Sequence, residues 1–277
     1  MDPARYAAGR QAFDEYLPTL DLPLLRDPIC AGPPRFGVFP WGSEADVILI
    51  DERSCRSGDA AAACLGDLAP TLPGSLRTLF GLPAAPPVGC LGAIFDPSRT
   101  MLGPVQKEAL KSVLLQSTAK FKFVLSGLPI QQYWALPYDR WEGYSAERNE
   151  ILDFIRDNGI QNVVFLATDN HANFTNEVVI DAFTDPQPIA REFVTGPIAT
   201  NTLEQEILAF GGPAALAGFN ALFTIAGVDC RNLNVFSYAL VEVDATAGTT
   251  EVSFKNDAGA PVLDTITNAP CGGSIGL

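Results

Sequence analysis

Three short apolar runs in this chain each end on polar residues of chemically useful type. Asp46-Val47-Ile48-Leu49-Ile50 delivers Asp51 and Arg53, the run from Phe121 to Leu125 delivers Ser126, and the run from Asn162 to Ala167 delivers Asp169 and His171. Asp169 and His171 stand two apart on a chain leaving a buried strand. A carboxylate and an imidazole facing one way suit zinc, iron or manganese, and the same pair equally serves as an N-cap or a hydrogen-bonded surface pair. His171 is the single histidine, which excludes any mechanism needing two, including a pair of histidines on zinc. A Ser-His-Asp triad fits poorly, because no G-x-S-x-G elbow is present and Ser126-Gly127-Leu128-Pro129 does not turn from strand into helix. Arg53 and Arg56 carry fork donors suited to phosphate, and equally suited to pairing with a nearby carboxylate such as Glu52.

The elements that must position these residues follow from periodicity. Strands near 46–51, 121–126 and 162–168 are predicted to lie in one sheet with their C-terminal ends on one edge, because a helix separates each of the later pairs and strand-helix-strand is the parallel βαβ pattern. The first helix starts at Pro104 and carries Val105, Ala109, Leu110, Val113 and Leu114 at helical spacing. The second is capped by Ser145, presents Ile151, Phe154 and Ile155, and ends at Asn158-Gly159. Between them, Tyr133, Trp134, Tyr138, Trp141 and Tyr144 crowd a loop, which we read as a satellite core rather than the wall of a substrate pocket. Val235 to Val243 and Thr250 to Lys255 alternate around a turn and predict an antiparallel hairpin. The segment 58–100 is rich in small residues and reads as an irregular surface insertion in a single domain, with antiparallel strands over 231–277.

Composition sets outer limits. The 277 residues carry 32 acidic against 18 basic side chains, a formal net charge of -14, with 47% hydrophobic and 18% charged residues. That is a foldable chain rather than a disordered one. An acidic surface without a basic, aromatic-studded stripe excludes nucleic acid as a stable partner. The first residues lack a basic start followed by an apolar core and do not read as a signal peptide. The uncharged stretch Ile207 to Val228 reads as a buried core helix after a Gly211-Gly212-Pro213 turn, not as a membrane span. The six cysteines have no zinc-ligand spacing. They read equally as buried thiols or as disulfides, with Cys55 and Cys64 the expected pair because only a short loop of small residues separates them. Asn173-Phe174-Thr175 matches a glycosylation sequon and carries no weight alone.

Ordered blocks along the chain resemble the alkaline phosphatase D family. Arg35-Phe36, Trp41-Gly42 and Asp51-Glu52-Arg53-Ser54-Cys55-Arg56 resemble its "R-F … W-G … L-D-x-R-x-x-R" block. Met101-Leu102-Gly103-Pro104-Val105-Gln106 resembles "M-L-G-x-x-Q", Asp139 to Arg148 resembles "D-x-W-x-G-Y-x-x-E-R", and Thr168-Asp169-Asn170-His171 resembles "G-D-x-H", with threonine in place of glycine. The N-terminal segment through Pro18 is similar to "A-A … A-F-x-E-Y-x-P". The resemblance implies an α/β fold of the calcineurin-like type, an αββα two-sheet sandwich, acting on phosphomonoesters or phosphodiesters. It further implies two metal ions drawn from Fe, Ca, Zn or Mn, with Asp169 and His171 as ligands, Arg53 contacting phosphate or orienting a ligand, and an extracellular or periplasmic setting. The family's upstream metal-binding blocks would fall before Met1, so the expectation is a domain without its N-terminal part and an incomplete metal site. The competing expectation is an inactive α/β binding module or a fragment of a longer enzyme. No membrane partner is expected.

Overall fold

A computed structural model describes residues 3–16 and 25–276; Pro18 of the N-terminal resemblance lies outside the described residues. In chain order the elements are α1 (Pro3–Tyr16), β1 (Gly37–Trp41), β2 (Ala45–Leu49), α2 (Gly74–Leu79), α3 (Cys90–Ile94), α4 (Pro104–Gln116), β3 (Phe121–Ser126), α5 (Ser145–Asp157), β4 (Val163–Ala167), β5 (Asn173–Val178), β6 (Ala190–Val194), α6 (Leu203–Ile225), β7 (Cys230–Asn232), β8 (Ser237–Asp244), β9 (Thr249–Asn256) and β10 (Gly272–Gly276). Among the described residues they build a mixed seven-stranded sheet in the order β1-β2-β3-β4-β6-β5-β7 and a small antiparallel sheet β10-β9-β8.

Parallel pairing of β2, β3 and β4 places the three polar strand ends on one edge, as the βαβ pattern predicts. Because side chains alternate along a strand, in-register residues share a face. Ile48, Val124 and Phe165 share one face and pack with Leu110 and Leu114 of α4 and Ile151, Leu152 and Ile155 of α5. Val47, Phe123 and Val164 share the other and pack against Val252 and Phe254 of β9. Pro104 opens α4 behind Gly103, whose φ of 77° and whose missing Cβ, which would sit 2.9 Å from Asp27 and Cys55, both demand glycine. The predicted hairpin is β8 and β9.

Several expectations need correction. Ser145 is the first residue of α5 rather than its cap, and its hydroxyl donates to the Glu142 carbonyl. The sequon residue Asn173 is fully buried and accepts from Ser237 and Gly196. The apolar stretch is not a short core helix: α6 begins earlier at a Thr202–Gln205 capping box and kinks at Gly212–Pro213. Among its residues only Ile207, Leu222 and Phe223 are buried. By length and composition alone α6 is long and apolar enough to cross a membrane. The segment 58–100 is irregular apart from α2 and α3, yet it is pinned inside by Arg77, which is fully buried and reaches Asp67 at 2.6 Å.

The cysteines are all bridged, and the expected Cys55–Cys64 pair is wrong. Cys30 joins Cys55, Cys64 joins Cys90, and Cys230 joins Cys271. The Ala31 amide donates to the Ser54 carbonyl and so lays Cys30 beside Cys55, while Cys64 faces the start of α3. Nearness in sequence was the wrong guide. Thiol titration in denaturant should therefore find no free thiol before reduction and six after it. Replacing both Cys230 and Cys271 by serine releases a 41-residue separation and should cost about 4 kcal/mol, read by denaturant unfolding.

Candidate active site

The loop after β2 is shaped by Asp51. Its carboxylate accepts from the backbone amides of Arg35, Arg53 and Ser54 and from the Ser54 hydroxyl. Burial pushes its acidity one way, and these donors outweigh burial to hold it below the usual carboxylate range. Asp51 therefore acts as a turn organiser that aims its neighbours.

Glu52 turns inward and Arg53 outward. The Glu52 carboxyl is buried against the Ser126 hydroxyl at 2.6 Å, the Gly127 amide at 2.5 Å and Trp141 Nε1 at 2.7 Å. Ser126 Oγ also lies 2.5 Å from the Leu128 carbonyl, which can only accept. When the single hydroxyl proton goes to that carbonyl, Glu52 must itself donate to Ser126, which is the behaviour of a protonated acid. Burial agrees, pushing the Glu52 pKa up to about 7 against these donors and Arg53. Glu52 is thus not the partner of Arg53 that sequence proximity suggests.

The Arg53 guanidinium spans the site. Nη1 donates to both Asp139 oxygens at 3.0 and 3.1 Å, and Nη2 donates to Asp169 Oδ2 at 3.0 Å. Arg56 Nη1 reaches the same Asp139 carboxylate. Burial and the two arginines act on Asp139 in opposite directions, and the arginines win, holding it ionised below its ordinary value. All of these groups are partly solvated, so each pair contributes about 1 kcal/mol or less to stability. Their value is positional.

Asp169 and His171 line one cavity but take different partners. Both adopt positive φ, 59° and 53°, a conformation uncommon outside glycine that often marks a functional turn. The turn sends Asp169 to Arg53 and His171 to α6, where Nδ1 lies 3.0 Å from Glu206 Oε1 without the alignment of a hydrogen bond. Asn170 Nδ2 between them is buried and unpartnered. A cavity of about 200 Å³ is lined by Asp139, Asp169, Asn170, His171 and Glu206. Asp139 and Glu206 were not singled out from the sequence. Asp139 lay within a matched block, but nothing in the sequence linked Glu206 to His171.

The family model of PhoD-like phosphatases matches residues 3–252. The chain belongs to the PhoD-like phosphatase family. Alkaline phosphatase D of Bacillus subtilis (strain 168) is 33% identical over 98 residues, 31% of this chain and 16% of that protein. A solved structure described as "Structure of PhoD" superposes with a TM-score of 0.63 at 20% identity, over 98% of this chain and 46% of that one. At that identity the likeness carries the fold. This PhoD-like chain therefore spans about half the length of that relative or less.

A two-metal centre in this PhoD-like chain would need several carboxylate and imidazole donors converging on one point. His171 Nδ1 and Glu206 Oε1 lie close together, and Asp169 is ion-paired with Arg53. Among the described residues, groups of three His, Cys, Asp or Glu ligand atoms within 4.8 Å occur only around Cys30–Cys55 and Cys230–Cys271, whose sulfurs are already bonded. Among the described residues, the unbonded donors as arranged do not gather into a group of three.

The acidity of Glu52 has a measurable consequence. A carboxyl whose pKa is raised on folding contributes stability fully below its unfolded value near 4.5 and loses it as pH rises through about 7. The stability difference between the parent chain and Glu52→Gln should therefore shift by roughly 3 kcal/mol against the parent from pH 4.5 to above 7. Denaturant unfolding of both across that range is the measurement, and a constant difference would show Glu52 ionised throughout.

Proposed function

We propose that this chain serves metal-dependent hydrolysis of phosphomonoesters or phosphodiesters, within an αββα metallophosphatase-like sandwich. Family membership supports the reaction class. The observation that carries it to particular residues is the Arg53 fork, which stands at the polar edge of three parallel strands and bridges Asp139 and Asp169 beside His171. In this reading Asp169 and His171 are metal ligands and Arg53 contacts the phosphate, exchanging a carboxylate oxygen for a phosphoryl oxygen of similar geometry. Asp139 and Arg56 keep the guanidinium in place. Three disulfides support work in an oxidising compartment, outside the cytoplasm. The formal charge of -14 speaks against a nucleic-acid partner. No membrane partner belongs to this reading.

The shortage of convergent donors favours a second reading, an inactive binding module or a share of a longer enzyme's site. Both readings place the metal affinity of this chain low. Metal content after equilibration with manganese, zinc, calcium or ferric iron should be substoichiometric, and turnover of bis(p-nitrophenyl) phosphate should be slow. His171→Ala and Asp169→Asn should each abolish the remaining metal binding and lower turnover by orders of magnitude. Arg53→Met should raise KM about tenfold. Turnover that survives His171→Ala unchanged removes the assignment, and no turnover with any of these metals favours the inactive module.

A further inference from the structure

Asn170 carries a polar atom to which the fold gives no partner. The residue sits between Asp169 and His171, at the open position of the "G-D-x-H" block, where the family resemblance assigns no role. Its Nδ2 is buried and makes no hydrogen bond among the described residues. A desolvated donor left in that state destabilises the site, and an acceptor brought to it removes the penalty.

The orientation of the carboxamide is fixed by its neighbour. Arg140 Nη1 lies 3.2 Å from Asn170 Oδ1. A guanidinium has no acceptor, so the atom facing Arg140 must be the carbonyl oxygen, and Nδ2 is turned away. Rotating the amide by half a turn would set two donors against each other. Arg140 itself is anchored in the aromatic loop: Nη2 donates to the Ala135 carbonyl, the guanidinium lies 5.2 Å over the Tyr133 ring, and Nη2 stands 3.7 Å from Glu142 Oε2. Only 11% of its side chain is exposed.

Asn170 lines the cavity of about 200 Å³ with Asp139, Asp169, His171 and Glu206. None of these acids accepts from Nδ2. Both Asp139 oxygens and Asp169 Oδ2 accept from Arg53, and Glu206 Oε1 stands beside His171 Nδ1. His171 Nδ1 is likewise buried without an aligned partner, so one turn brings two unpartnered nitrogens to one cavity.

We propose that Asn170 binds the ligand of this site, its Nδ2 donating to an oxygen of the phosphoryl group that Arg53 contacts, with Arg140 as the residue that positions the amide. The proposal deepens the phosphoester reading and rests on it for the chemistry of the ligand. Arg53 ends on Asp169, the residue next to Asn170 in the chain, so a neutral donor and a cationic fork serve the same short stretch of the site.

The test uses the full chain, isotope-labelled on its asparagine nitrogens, with methylphosphonate as a non-hydrolysable probe added alone and again with calcium. The side-chain amide signal missing from Asn170→Asp identifies Asn170. Saturating probe should move a proton of that signal downfield in at least one condition, as a new hydrogen bond to an anion requires. By calorimetry, Asn170→Asp keeps an oxygen toward Arg140, loses the donor and should weaken the probe at least tenfold. Asn170→Ala adds no charge and should weaken it about fivefold, with Asn170→Ser in place of either variant that folds poorly by circular dichroism. A purely structural Asn170 would leave the signal unmoved and the affinities within twofold. Either result overturns the proposal, and so does a parent chain that binds no probe in either condition. A chain that binds the probe through Asn170 yet hydrolyses no phosphoester keeps this assignment and loses the hydrolytic reading. One that hydrolyses bis(p-nitrophenyl) phosphate with unchanged kcat and KM after both substitutions loses only Asn170.

Discussion

Buried carboxylates hold the irregular part of this molecule together. A buried backbone amide must be paired, and in a loop no neighbouring strand does the pairing. Here glutamates do it. Glu192 accepts from the amides of Ile130 and Gln131 and from Asn176. Glu142 takes the Tyr133 amide and the Thr71 hydroxyl, Glu147 takes the amides of Met101 and Leu102, and Glu52 takes the Gly127 amide and the Trp141 ring nitrogen. Arg148 performs the opposite task, donating from full burial to the carbonyls of Ile130, Val179 and Ile180. The loop bearing Asp139 is therefore anchored on both sides by buried pairs, and removing one partner would leave another group buried and unpaired, at a cost of several kcal/mol. The position of Arg53 depends on that rigidity.

The sequence made the central sheet legible because its signals are local. Each of β2, β3 and β4 is a continuous apolar run, and α4 and α5 repeat every three to four residues. Pro104 and Asn158-Gly159 punctuate the helices where expected. The aromatic loop was also legible as packing: Tyr133, Trp134, Trp141 and Tyr144 are all buried. What failed depended on contacts distant in sequence. Cys55 was matched with its nearest neighbour, whereas pairing follows the amide of Ala31 on the Ser54 carbonyl. α6 is as apolar as a core helix, but its kink lets only one short face reach Tyr133 and Phe174 through Phe223.

The site was half legible for the same reason. Proximity in sequence brought Asp169 and His171 together, and the fold keeps both on one cavity while giving each a different partner, Arg53 for Asp169 and Glu206 for His171. Arg53 was visible as an arginine after a strand. Its partners Asp139 and Asp169 lie 86 and 116 residues away and could be assigned only once three strands were in register. Glu206 illustrates the limit: its local role is in the acidic first turn of α6, and only the tertiary fold gives it a second one beside His171.

Net charge and local charge also part company. A chain of formal charge -14 repels an anion at long range, yet that field is screened over about 8 Å at physiological ionic strength. Within that distance the nearest charges decide, as the Arg53 guanidinium held between Asp139 and Asp169 shows. Two neighbouring acids at the sheet edge differ sharply in charge because their surroundings differ. Asp51 spends its oxygens on loop amides, and Glu52, with a pKa near 7, is about half neutral at that pH. The hydrogen bonds that rigidify the loops thereby also set the charge of the sheet edge, keeping Asp51 ionised on its amides while burial pushes its neighbour Glu52 up to about 7.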